Sequence, residues 1–160
     1  LGGALVKEPE HPALLQPGAT FVTLMRHGEL RGCIGSVEAF RLLDQDMREN
    51  ARAAAFRDRR FAPLSEGELH ATRVEVSLLS QTELIRFATE DDAARQLRQG
   101  IDGVILESER HRGTFLPQVW ELVPDPRQFL SELKRKAGLP GDFWSNDLRL
   151  YRYEVQKWSE

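Results

Sequence analysis

The sequence predicts an α+β fold, a mostly antiparallel sheet with flanking helices, and three observations carry that prediction. Runs that alternate apolar and polar residues at the strand period, such as Val74, Val76 and Leu78 against Arg73, Glu75 and Ser77, are interleaved with runs whose apolar residues recur at three- and four-residue steps. The interleaving lacks the strict strand–helix–strand repetition of a parallel sheet. The 160 residues, 41% hydrophobic and 29% charged, hold enough apolar material for one domain-sized core and too much for a disordered chain.

The elements follow in order. Residues 1–19 read as an extended lead-in, because the stretch KEPEHPALLQPG carries three prolines and a glycine with few apolar anchors. FVTLM at 21–25 is β-branched and apolar, His27-Gly28-Glu29 offers a turn glycine, and LRGCIGSV at 30–37 is extended, which together predict a hairpin. From Leu42 to Phe56 the residues Leu43, Met47, Ala51 and Ala54 form the apolar stripe of a helix, with Asp44, Asp46, Glu49 and Arg52 on its other faces. The Ala51–Ala55 end of that stripe lets another backbone come close. Pro63 disfavours helix at Ala62, and Ser65 with Glu68 has the spacing of a capping box ahead of a short helix over 66–69. The Val74–Leu78 strand follows. Thr89, Asp91 and Asp92 open a second helix that runs through Leu97 and closes at Gly100. IDGVILES and RGTFLP read as neighbouring strands. Asp125-Pro126 opens a third helix whose stripe is Phe129, Leu130 and Leu133 and which stops at Gly138. Tyr151, Tyr153 and Val155 alternate with Arg152, Glu154 and Gln156 as one closing strand.

Bulk properties exclude several classes of function. A net charge of −3 provides no basic field of the kind that drives binding to phosphate backbones, so nucleic acid is not an expected partner. The single cysteine cannot form an intramolecular disulfide or a zinc site needing two thiolates. With no apolar run near the roughly 18 residues of a membrane span, and no secretion signal at the amino end, the chain reads as cytoplasmic. The glycines form neither a phosphate loop nor a dinucleotide fingerprint, no metal-ligand spacing occurs, and no cofactor is indicated.

The chemically pointed feature is the segment LRGCIG, Leu30–Gly35. In a regular strand Arg31 and Cys33 share a face, roughly 7 Å apart at about 3.3 Å per residue. A guanidinium there favours the thiolate, the reactive form of the thiol. Gly32 and Gly35 leave room for a ligand or for another backbone. Two readings stay open: Cys33 as a reactive or ligand-facing thiol in a small cleft, and Cys33 as a small buried residue among glycines that shape a bulge. His27, His70 and His111 could each pair with the thiol, and nothing in their spacing selects one. Arg48, Arg52, Arg57, Arg59 and Arg60, offset by Glu49 and Asp58, read as a docking site for phosphate or carboxylate or as a solvated face laced with ion pairs.

With LRGCIGSV, AAAFRDRRFAPLSEGEL, VEVSLL, GTFLPQVW and KAGLP in this order, the chain from about Phe21 to its end resembles the AMMECR family, whose domain is protein A of the AmmeMemoRadiSam system alongside Memo-like and radical-SAM proteins. The resemblance implies a single AMMECR-type domain over 1–160, with a larger lobe drawn from both chain ends and a smaller inserted helical lobe at about 38–70. It implies a cleft between them, lined by Arg31, Gly32, Cys33 and Gly35, by Asp58, Arg60 and Phe61, and by Thr114, Pro117 and Gln118. On that basis Cys33, Arg31 and Asp58 are candidate catalytic residues and the others candidate ligand contacts. The family has no settled activity to carry over. One expectation is an enzyme or component of a modification system in which Cys33 is nucleophile or covalent acceptor, Arg31 or Arg60 holds an anionic group and Asp58 orients one of them. Another is a non-catalytic module that accepts a small ligand or a peptide of a Memo-like or radical-SAM partner. A third is an RNA-associated protein that uses the arginine cluster.

Overall fold

The structure, a computed structural model, describes residues 12–159. Two compact units emerge: one runs to Leu79 and takes up the chain again at Gln156, and the other spans Ser80 to Val155. Each has its own four-stranded sheet, so the sequence pattern of one mostly antiparallel sheet resolves into two.

In the first unit, strands β1 (Ala19–Arg26) and β2 (Glu29–Gly35) form the expected hairpin. His27 and Gly28 both have positive φ, 52° and 77°, the backbone of the turn whose twist suits a two-residue hairpin. Helix α1 (Leu43–Phe56) packs on β1 and β2, and β3 (Thr72–Leu79) pairs antiparallel with β1. The order is β2-β1-β3-β8, with β8 (Val155–Ser159) at the far edge. Val22, Leu24 and Ala54 are the buried centre of this unit, with Ile34, Met47, Ala51, Val74 and Val76 packed around them. Residues 38–70, expected as a separate smaller lobe, therefore lie within the first unit. The apolar stripe of α1 is satisfied by the sheet rather than by a helical partner. The lead-in begins outside the described residues; Pro12–Leu15 form a short 3-10 turn rather than an extended segment, and Pro17 bridges Leu42.

Asp46, placed on an outer face of α1 by periodicity, is fully buried. Its carboxylate accepts from the Thr20 N–H and hydroxyl, both at 2.7 Å, and from the Asn50 amide at 3.0 Å. Ser36 and Arg41 donate to its other oxygen, each at 2.8 Å. A buried carboxylate is tolerated because its acceptor sites are filled.

The second unit contains β4 (Glu83–Ile85), α2 (Glu90–Gln96), β5 (Gly103–Ser108), β6 (His111–Phe115), α3 (Pro126–Lys136) and β7 (Arg149–Tyr153), with sheet order β4-β7-β5-β6. Thr89 caps α2 through the Asp92 N–H, as its spacing predicts. Phe129, Leu130 and Leu133 of α3 are fully buried against Val104, Leu106 and Leu150, and Trp120 stacks on Phe129 with centroids 3.8 Å apart. The single closing strand read from residues 151–156 is two strands in different sheets. The break falls at Glu154, whose N–H goes to the Ser80 hydroxyl and whose carbonyl accepts from the Ser80 N–H.

Candidate functional site

The LRGCIG strand is not regular. β1 and β2 pair as Arg26↔Glu29 and Met25↔Leu30, then resume as Leu24↔Gly32 and Thr23↔Cys33, which leaves Arg31 without a partner in the ladder. This is a β-bulge, and it re-aims a side chain. The expectation of a regular strand, on which Arg31 and Cys33 share a face, is corrected by it. Arg31 turns to Glu68, which accepts from Nε at 3.0 Å and from Nη2 at 3.1 Å, and Nη2 also reaches the Ala62 carbonyl at 2.8 Å. Arg26 donates to the same carboxylate at 2.8 Å.

Glu68 also closes the predicted capping box, accepting from the Ser65 N–H. The Arg31 hydrogen bond, first, and the Ser65 N–H, next, pull its pKa from 4.5 to about 2. Glu68 is thus the partner of Arg31, and its one signal in the sequence, the capping spacing from Ser65, points to the helix start alone.

Cys33 is partly buried, with Sγ 3.3 Å from the Thr23 hydroxyl on the neighbouring strand. Facing residues come this close at the narrow pairs of an antiparallel ladder, where the backbone N–H points away from the partner strand. The Cys33 N–H accordingly donates to Asp58 at 3.0 Å. Asp58 sits on the loop that leaves α1 and is nearly buried at 7% exposure. It accepts three further bonds from Arg60, from the backbone N–H at 3.1 Å, Nε at 3.0 Å and Nη2 at 2.7 Å. The Arg60 side chain, ahead of the Cys33 N–H, holds this carboxyl well below the usual carboxylate range despite its burial. The same pairing, with a smaller share from charge on Cys33, raises Arg60 above its ordinary value. Arg60 remains 57% exposed, and Phe61 lies under it with its ring centre 5.4 Å away.

The two motif glycines are shaped by packing. A Cβ on Gly32 would lie 2.1 Å from the Ala54 carbonyl oxygen, and one on Gly35 would enter the Phe21 ring at 2.2 Å. Of the two uses foreseen for Gly32, close approach of another backbone is the one realised.

Seven candidates, Arg31, Gly32, Cys33, Gly35, Asp58, Arg60 and Phe61, thus lie on β2 and the adjoining loop of the first unit. Thr114, Pro117 and Gln118 belong to the second. There the Thr114 hydroxyl donates to the Val104 carbonyl at 3.0 Å and meets the Tyr153 hydroxyl at 2.8 Å. Pro117 opens a 3-10 turn, Pro117–Glu121, that includes Gln118 and places the Trp120 Nε1–H 2.8 Å from the Asp102 carbonyl. His111 faces the Ala137 carbonyl at 3.0 Å rather than a thiol. Within the arginine cluster, Arg48 pairs with Asp44, and Arg52 and Arg57 pair with Glu49, as a solvated face does. Among the described residues no group of three His, Cys, Asp or Glu could hold a metal, and no helix is long and apolar enough to cross a membrane.

Comparison with known proteins places this geometry among relatives. The family model described as AMMECR1 matches residues 2–158. A protein of Methanothermobacter thermautotrophicus is 40% identical over 147 residues, 91% of this chain and 77% of its own length. One from Thermococcus onnurineus is 38% identical over 167 residues, 99% of this chain and 81% of its own. The crystal structure of the uncharacterised protein PH0010 from Pyrococcus horikoshii superposes with a TM-score of 0.88 at 34% identity, covering 97% of this chain and 80% of that one.

Proposed function

The chain belongs to the AMMECR1 family, and from that premise we propose that β2 and the Asp58–Phe61 loop form the docking surface of a binding module, which takes an anionic ligand or an acidic peptide segment of a partner. The observation that carries this reading is Arg60. Asp58 fixes two of its nitrogens while more than half of the side chain stays exposed above Phe61. A guanidinium oriented in advance loses less freedom on binding a carboxylate or phosphate than a free one does. The acid–base group beside Cys33 is already engaged, since Asp58 accepts four hydrogen bonds. That favours recognition over proton transfer.

In the family setting the candidate partners are Memo-like and radical-SAM proteins, which would also supply any radical or metal chemistry. Calorimetric titration with a purified Memo-like protein and with an acidic peptide tests the proposal. Cys33→Ser should stay within about threefold of the parent Kd, and Arg60→Glu should weaken it at least tenfold, about 1.4 kcal/mol. Equal affinity of Arg60→Glu and the parent would refute it.

A second reading, Cys33 as a covalent acceptor or nucleophile, is favoured by its partial exposure and by the Asp58–Arg60 pair that its N–H joins. It predicts that a small thiol reagent alkylates this single thiol in the folded protein. A thiol that reacts only after denaturation removes this reading and leaves the first untouched.

A further inference from the structure

A recess opens in the first unit at the turn end of the β1–β2 hairpin, where the 3-10 turn Glu66–Ala71 runs into β3. Its volume is about 600 Å³, and Met25, His27, His70, Ala71, Arg73 and Glu75 contribute to its walls. We propose that it binds a small molecule bearing an oxyanion on a short apolar arm. The volume lies within the range of about 300–1,000 Å³ in which small-ligand sites fall.

Charge selects the ligand class. The Arg73 side chain is exposed and makes no hydrogen bond or ion pair among the described residues. Two imidazoles, His27 and His70, share its walls and can donate ring N–H groups. The one carboxylate of the lining, Glu75, is met by Lys157 at 3.2 Å, so it does not repel an anion as a free carboxylate would. Met25, Ala71 and Val74 provide the apolar part of the lining. Two imidazoles and a guanidinium suit an oxyanion better than a cation, and among the described residues no group of three His, Cys, Asp or Glu could hold a metal.

His27 occupies a left-handed turn position, φ 52°, which histidine adopts more readily than most residues with a side chain. This recess shares no lining residue with the Cys33–Arg60 surface, so the two proposals fail independently.

The test is an amide-resolved NMR titration of the whole chain with phenyl phosphate, benzoate and inorganic phosphate. Saturable shifts at His27, Ala71 and Arg73 with phenyl phosphate or benzoate, at least tenfold tighter than with inorganic phosphate, are the expected result. A response to phenyl phosphate alone assigns a phosphate monoester, and one to benzoate alone a carboxylate. Arg73→Glu and the double substitution His27→Ala, His70→Ala should each weaken binding at least tenfold while amide dispersion is retained. Absence of saturable shifts for both aromatic probes, or unchanged affinity in both well-folded variants, would overturn the proposal.

Discussion

At Gly32 an added methyl group would sit 2.1 Å from the Ala54 carbonyl oxygen and 3.0 Å from its carbonyl carbon, and neither backbone atom can swing aside as a side chain could. Gly32→Ala should therefore push α1 away from β2 and destabilise the protein by about 1–3 kcal/mol, the usual cost of overpacking. Gly67→Ala is the matching control, because nothing lies within 4 Å of its added Cβ. Urea denaturation of the two variants checks this, and equal midpoints would show that the helix yields freely. At the same scale the arginines exchange the parts expected of them. The bulge takes Arg31 to Glu68, and Asp58, which accepts the Cys33 N–H, anchors Arg60 instead. Counting outward from the His27-Gly28 turn would set Cys33 opposite Val22, whereas the observed register sets it opposite Thr23. One extra residue in a strand turns every later side chain to the other face.

Among the elements, α1 is held by more than its apolar stripe. Asp46 and Asn50, one turn apart, tie the helix to Thr20 of β1 and to Ser36 and Arg41 in the segment between β2 and the helix. Asp46→Ala would leave the buried Thr20 N–H and hydroxyl without their acceptor, which should cost about 3 kcal/mol. The measurement is again the denaturation midpoint, and a loss below about 1 kcal/mol would place the attachment of α1 in its apolar contacts. The existence of α1 and of the hairpin was legible because helix period, capping spacing and a two-residue turn are local signals. The inward turn of Asp46 was not. A carboxylate reads as surface unless its partners are known, and those partners lie up to 26 residues away.

Over the whole molecule the α+β class was legible, while the division into two sheets was not. Alternation in residues 149–159 runs on through Glu154, and only pairing with Ser80, 74 residues earlier, interrupts it. Acid stability is a property of the whole chain to which the site contributes. Glu68 titrates at about 2 in the folded state against its ordinary 4.5, and Asp58 is shifted in the same direction. A lowered folded pKa contributes stability that is fully present above the unfolded value and is lost as pH falls through the folded one. Thermal unfolding should therefore become easier as pH drops from about 4.5 towards about 2, and Glu68→Gln, which has no carboxyl to protonate, should show a shallower decline. Parallel pH profiles for the two proteins would exclude Glu68 as a contributor.

β2 is the outermost strand of its sheet, and the loop from Asp58 to Ala62 lies along it, Asp58 taking the Cys33 N–H and the Ala62 carbonyl taking Arg31. A bare strand edge is a template on which a strand of another molecule can grow, and hence a route to aggregation. The same carboxylate that orients Arg60 also denies that edge to other chains, so Asp58 guards the solubility of the protein as well as the geometry of its candidate site.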